Sequence, residues 1–372
     1  MPSAADYVAQ ASPVAAMVQA AGGQVGLTAE PVGPLEGEEA AAWYLRDDPR
    51  RRDWNLNMSR AAAIAGLEAE SWVIHSYRLS DNALNGTSNS KDWATAMMLY
   101  GEASLLNARE YVTRHAREET AIWLTEYGAS APCMPWPGCP FPPTDAKSVW
   151  FRDAIYSPVH AFALVGNLVH AMSTPSARIT AANLHSVFGT FASARGLVEI
   201  VPGAGPDGSD SLNVSVLAQV FAHFFAVAKP AESVRGLSLS ASGPRLALNW
   251  TVARRHNFSV LAGVGLTRGQ GVEVQEDFVL LNRGTVPVEL ELDVRGAGIR
   301  YRVASYASDA PVTTAAFCTI DPAQPPAMPW SGPMPVDVSA CTSTTAAALR
   351  LSIAPLSMVV LEEGSVGPIG QK

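Results

Sequence analysis

Two hydrophobic periods divide the chain. Between residues 24 and 228 short apolar runs alternate with longer stretches whose apolar positions recur at helical spacing, which is the pattern of strands joined by crossover helices in a parallel sheet. Asp6 to Ala21 carries Val8, Ala11, Ala15 and Val18 on one face, is broken only by Pro13, and stops at Gly22-Gly23. Gln24 to Glu30 then reads as a strand ended by Pro31. Helical pattern follows over Glu38–Leu45 and Asn57–Leu67, and Ser71-Trp72-Val73-Ile74-His75-Ser76-Tyr77 is a second buried strand. A long amphipathic helix over Lys91–His115 leads to the third strand, Ala121-Ile122-Trp123-Leu124-Thr125-Glu126. The prolines between Pro132 and Pro143 forbid regular structure in the next loop. Val149–Met172 reads as a helix and residues 177–183 as a fourth strand. The Gly-, Pro- and Asp-rich loop Pro202–Asp210 precedes a last helix over Val214–Ala228. Four strands, at 24–30, 71–77, 121–126 and 177–183, make half of an eightfold barrel.

From about Val234 the period becomes two. Leu237–Ser240, Arg245–Trp250, Val272–Gln275, Val286–Leu292 and Leu349–Ile353 alternate apolar with polar residues and are separated by turns such as Asn282-Arg283-Gly284. Ala354–Glu362 closes the set. The predicted class is therefore α/β plus all-β: a partial (β/α)8 barrel, strands five to eight with their helices, over residues 1–230, an antiparallel β-sandwich over 231–363, and a loose tail over 364–372.

Composition narrows the functions open to such a chain. A 48% hydrophobic and 16% charged make-up fits a packed globular protein. The net charge of −8 and a pI near 5.4 argue against nucleic acid as a partner. No apolar run reaches the length of about 18 residues that a membrane-spanning helix needs. The start, Met1-Pro2-Ser3-Ala4-Ala5-Asp6-Tyr7, lacks the basic and apolar regions of a signal peptide. The cysteines nevertheless fall as two local pairs, Cys133 with Cys139 and Cys318 with Cys341, which suit disulfides better than a metal site. Glycosylation sequons begin at Asn57, Asn85, Asn213, Asn249 and Asn257. Together these predict a secreted, extracellular or lysosome-like setting.

Candidate chemistry gathers at the C-terminal ends of the predicted strands, where a barrel opens its mouth. Glu126 ends the third strand, His75 and Tyr77 the second, and Asn183 with His185 the fourth; Glu30 ends the first. A glutamate in such a place can equally cap a strand where it meets solvent. Trp136, in the proline-rich loop, and Trp150 are the tryptophans placed nearest that mouth, while Trp72 and Trp123 read as core. The histidines show no paired spacing for a metal, and neither a Gly-x-Ser-x-Gly elbow nor a phosphate loop is present. No metal or other cofactor is expected.

The order His75-Ser76-Tyr77, Thr125-Glu126-Tyr127-Gly128, Ala181-Ala182-Asn183-Leu184-His185, then a β-sandwich, resembles the C-terminal half of a clan A retaining glycoside hydrolase. The heparanase-like endo-glucuronidases and the α-L-arabinofuranosidase and β-xylosidase families are the nearest in pattern, over residues 6 to 362. That resemblance implies an oligo- or polysaccharide substrate, Glu126 as nucleophile, Tyr77 donating a hydrogen bond to it and His75 beside it. It implies substrate contacts from Glu30, Trp136, Asn183 and His185. In the family a second glutamate, the acid/base, follows an asparagine at the end of strand four. This sequence contains no Asn-Glu dipeptide. The helix over residues 6–21 matches the one after strand four, so that glutamate and the first four strands would precede Met1. A nucleophile without its acid forfeits roughly 10²- to 10⁴-fold in rate, so negligible turnover is expected of these residues alone. The missing half of the barrel is then a natural partner, because an open sheet edge and an uncovered apolar face favour association. The alternative is a noncatalytic carbohydrate-binding or interaction protein built from the same parts.

Overall fold

The computed structural model describes residues 3–29, 53–78, 90–129, 158–185, 188–190, 197–201, 203, 206–237, 258–269, 274–296, 299–307, 337–342 and 348–364. Helix α1 (Ala4–Ala20) opens on a capping box. The Ser3 hydroxyl accepts from the Asp6 N–H, while the Asp6 carboxylate accepts from Ser3 and is held below its usual pKa by those bonds. Pro13 lies inside α1 and does not break it. Strands β1 (Gly26–Thr28), β2 (Ser71–Arg78), β3 (Ala121–Ala129) and β4 (Ile179–Leu184) pair in that order, every pairing parallel. The helices α2 (Trp54–Ala65), α3 (Ser90–His115) and α4 (Pro158–Ser173) stand between them in sequence. The predicted strand–helix alternation is thus observed. The predicted helices over Glu38–Leu45 and the start of Val149–Met172 lie outside the described residues.

Leu27, Trp72, Ile74, Ile122, Leu124 and Tyr127 are buried on one face of the parallel sheet, among residues of the helices. Trp123 belongs to the other face. A Cβ built on Gly26 would meet Ser71 Oγ, Trp123 Cε3 and Val73 Cγ2 at 2.7 to 2.8 Å, so these side chains share Gly26's side of the sheet. The expectation of Trp72 as core holds; Trp123 is only partly buried and packs on the side away from the helices.

Between β4 and the last helix lies a small sheet of β5 (Phe188–Thr190), β6 (Val198–Val201) and β7 (Ser211–Val214). Helix α5 (Val216–Ala228) follows, two residues later than predicted, because Ser215 caps it by accepting the Ala218 N–H at 3.1 Å.

The C-terminal region is antiparallel, as expected. Strands β8 (Ser233–Gly236), β9 (Leu261–Arg268), β10 (Gln275–Asn282), β12 (Arg300–Ala307), β13 (Asp337–Thr342) and β15 (Ser357–Glu363) form a six-stranded sheet in the order β13-β12-β15-β10-β9-β8. The pair β11 (Val288–Asp293) and β14 (Ala348–Ile353) forms a second sheet. Phe278, Leu280, Val359 and Leu361 pack toward that pair, while Val279, Leu281, Met358 and Val360 pack toward α4 and α5. The central strands β9, β10 and β15 are therefore buried on both faces, and a single apolar core runs from the parallel sheet through the helices into the six-stranded sheet. Burial on both faces turns β10 and β15 into unbroken apolar runs instead of alternating ones. Strand β8 ends at Gly236, just before the strand proposed at Leu237–Ser240; residues 238–257, which hold the rest of that strand and the proposed strand Arg245–Trp250, lie outside the described residues.

Candidate active site

Strict alternation along β3 would aim Glu126 the same way as Leu124, into the helices. A β-bulge prevents this. Ile74 pairs with Leu124 but His75 pairs with Glu126, so Thr125 is an extra residue on β3, and the shift recurs against β4, where Leu124 meets Ala182 and Tyr127 meets Leu184. The bulge hands the buried position to Tyr127, 1% exposed, and turns Glu126 to the outer face. Strand β3 also runs on to Ala129 rather than ending at the carboxylate, since Gly128 stays in the ladder opposite Tyr77. Glu126 is thus near the C-terminal end of a central parallel strand, not at its tip.

The start of β3 is fixed from α3. Arg109 donates to the carbonyls of Thr120 at 2.6 Å and Glu118 at 2.7 Å, holding the turn that leads into the strand. Burial, with Arg178 nearby, lowers the pKa of this guanidinium.

Three of the predicted residues come together. His75 Nδ1 lies 3.3 Å from Glu126 Oε2, and His185 Nε2 lies 4.0 Å from the same oxygen. All three side chains are about one third exposed, at 35%, 36% and 36%, so the cluster opens to solvent. The His185 N–H donates to the Tyr127 carbonyl at 2.9 Å, which ties the residue after β4 to the residue after Glu126. Asn183 is exposed, two residues before His185. Tyr77 pairs through its backbone with Gly128 next to the cluster, and its side chain is outside the described residues, as are Glu30, Trp136, Trp150, Cys133, Cys139 and Cys318. Cys341 is on β13, its side chain likewise undescribed. Among the described residues no group of three or more His, Cys, Asp or Glu is arranged to hold a metal ion, and no helix is long and apolar enough to cross a membrane.

A second charged cluster was not legible from the sequence. Arg283, placed by its neighbours Asn282 and Gly284 in a turn, is 4% exposed: its guanidinium is paired with Glu102 of α3 and donates to the Ser259 carbonyl at 2.7 Å. His170 of α4 lies 3.7 Å from Glu102. The turn is buried because Asn282 donates to the carbonyls of Val286, Ile353 and Ala354 and accepts the Gly284 N–H. Another histidine, His223 of α5, joins Tyr306 of β12 and Glu362 of β15, with Nε2 2.6 Å from Glu362. Both clusters stitch helices to the six-stranded sheet.

No protein-family sequence model and no curated protein sequence matches the chain. Solved structures do. A family 51 α-L-arabinofuranosidase from Bifidobacterium longum superposes with a TM-score of 0.53 at 13% identity, over 98% of this chain and 64% of that one. A second arabinofuranosidase gives 0.50 at 16% identity, over 86% of this chain and 56% of the other. A family 44 xyloglucanase from Paenibacillus polymyxa gives 0.48 at 10% identity, over 98% and 61%. The chain spans less than two thirds of the length of these structures. At such identities the likeness is one of architecture: the chain shares the fold of these arabinofuranosidase structures, a parallel strand–helix layer joined to a β-sandwich.

Proposed function

We propose that this chain carries the nucleophile side of a retaining glycosidase, hydrolysing O-glycosidic bonds in an oligo- or polysaccharide by double displacement. The observation that carries the proposal is the bulge that turns Glu126 out of the core and sets it against His75 at the C-terminal end of the parallel strands. A carboxylate so placed is about one third exposed, adjacent to a donor-capable ring, and at the end of the sheet where strand–helix barrels do their chemistry. In this assignment Glu126 attacks the anomeric carbon, Tyr77 donates to the carboxylate, His75 orients it, and Glu30, Trp136, Asn183 and His185 contact sugar. The parallel sheet is read as strands five to eight of a (β/α)8 barrel, residues 1–230, with the sandwich at 231–363. The arabinofuranosidase structures support a glycan as substrate class.

Retention requires a second carboxyl about 5 to 5.5 Å from the first to protonate the leaving oxygen. The family's Asn-Glu is not in this sequence, so the acid/base is assigned to polypeptide outside these residues. The consequence is testable through the leaving group. The dinitrophenolate of a 2,4-dinitrophenyl glycoside departs without protonation, so the chain as it stands should bond Glu126 to the anomeric carbon and release dinitrophenolate, a reaction lost in Glu126→Gln, and should leave unactivated glycosides intact. Turnover of unactivated glycosides that depends on Glu126 would refute the assignment of the acid; equal dinitrophenol release by wild type and Glu126→Gln would refute the nucleophile.

A further inference from the structure

Glu126 is approached from both neighbouring strands. His75 comes from β2 and His185 from the end of β4, and both ring nitrogens face the same carboxylate oxygen, Oε2, at 3.3 and 4.0 Å. To donate to that oxygen, the proton must sit on the nitrogen that faces it, Nδ1 of His75 and Nε2 of His185. The 3.3 Å contact lies within reach of a hydrogen bond. The 4.0 Å contact is one small side-chain adjustment or one bridging water from becoming one. Neither ring arrives by chance of rotamer alone. The bulge at Thr125 brings Glu126 opposite His75, and the bond from the His185 N–H to the Tyr127 carbonyl fixes the His185 backbone one residue beyond the carboxylate.

A carboxylate rotates easily about its last torsion, where the energy wells are broad. Attack on an anomeric carbon needs one oxygen held within about 3 to 3.5 Å and aligned. We propose that His185 is a positioning residue that, together with His75, grips Oε2 from opposite sides and fixes the plane of the Glu126 carboxylate. This replaces the sugar-contacting role that resemblance alone gives to His185, and it rests on Glu126 being the nucleophile.

Two measurements on the full chain test it, and they fail separately. The first needs no activity. With ¹⁵N-labelled histidine at about pH 8, where an ordinary imidazole is neutral, long-range ¹H–¹⁵N correlation should show His185 locked as the Nε2–H tautomer, and Glu126→Gln should change its ring-nitrogen shifts. A His185 ring indifferent to Glu126→Gln overturns the proposal. The second uses the dinitrophenyl glycoside. His185→Ala should lower the maximal rate roughly 10- to 100-fold with little change in half-saturation, and His185→Gln, which restores an N–H donor, should recover most of it. A raised half-saturation at unchanged maximal rate would make His185 a sugar contact instead. Absence of any Glu126-dependent release from wild type would sink the glycosidase assignment, while the spectra would still decide whether His185 grips the carboxylate. If His185→Ala does not fold, the Glu126→Gln spectra decide alone.

Discussion

Two glutamate–histidine pairs, one at the rim of the parallel sheet and one in the seam between the helices and the six-stranded sheet, show how the same side chains serve different ends. At the seam Glu102 is 19% exposed, His170 5% and Arg283 4%, and the arginine supplies the countercharge that a buried carboxylate needs. At the rim Glu126 and His75 are 36% and 35% exposed, and imidazoles stand on both flanks of the carboxylate. The first arrangement stabilises: it ties α3 and α4 to the turn after β10. The second leaves an anionic oxygen on an accessible face, held by groups that orient it without sealing it off. Burial and the group that faces the carboxylate, rather than the presence of a glutamate and a histidine, distinguish the two sites.

Substitutions should therefore split cleanly between the two. Glu126→Gln is expected to cut dinitrophenolate release from a dinitrophenyl glycoside by about 10³-fold or more while changing stability by less than about 0.5 kcal/mol, as a site one third exposed allows. Arg283→Met should do the reverse in kind, leaving Glu102 without its arginine in the seam and costing about 3–5 kcal/mol in denaturant unfolding. A double variant, Arg283→Met with Glu102→Gln, should recover part of that cost, because it removes the stranded charge along with its partner. Phe224→Ala, in the core that joins α5 to the six-stranded sheet, is expected to cost about 3–5 kcal/mol as well. Because that core is continuous, unfolding followed by tryptophan fluorescence and by circular dichroism should coincide. Separate transitions would show two independent regions.

Much of this was legible in the chain because half of it is built from elements with one buried face. The helices α2, α3 and α5 announce themselves by spacing, and β2 and β3 by short apolar runs between them. What escaped has a common cause. Strands β9 and β10 are buried on both sides, one face against β11 and β14 and the other against α4 and α5, so they lack the alternation by which a one-sided strand is recognised. Arg283 sits beside Asn282 and Gly284, a pattern that normally faces water; the bonds from Asn282 to the distant carbonyls of Ile353 and Ala354 show that the turn is buried. At the rim, residue order pointed to His75, Glu126 and His185, yet nothing in it reveals the extra residue at Thr125. Without that bulge, period two would have buried the carboxylate beneath the helices.

Smaller effects sharpen the picture of the β-region. Ser215→Ala removes the cap of α5 and should cost about 1 kcal/mol. Asp277 is buried between β9 and β15: desolvation pushes its carboxyl above the ordinary value, opposed by the Glu363 N–H at 2.8 Å and by Arg268. The folded chain then holds this proton to higher pH than the unfolded chain does. Its contribution to stability is therefore greatest in acid and falls as pH rises from about 4 through the folded value. Asp277→Asn keeps the oxygen that accepts from Glu363. It should be as stable as wild type or slightly more so at neutral pH, an advantage that shrinks as pH is lowered in thermal melts.

The central claim is that the bulge on β3 presents Glu126 to an anomeric carbon. The most direct measurement is covalent capture: incubation of the chain with a 2-deoxy-2-fluoro glycoside bearing a dinitrophenyl leaving group, then peptide mass spectrometry. A single glycosyl adduct on the peptide containing Trp123-Leu124-Thr125-Glu126 is the predicted result, absent from Glu126→Gln. An adduct on another carboxylate, or none with any pentose, hexose or uronic-acid probe, would contradict it.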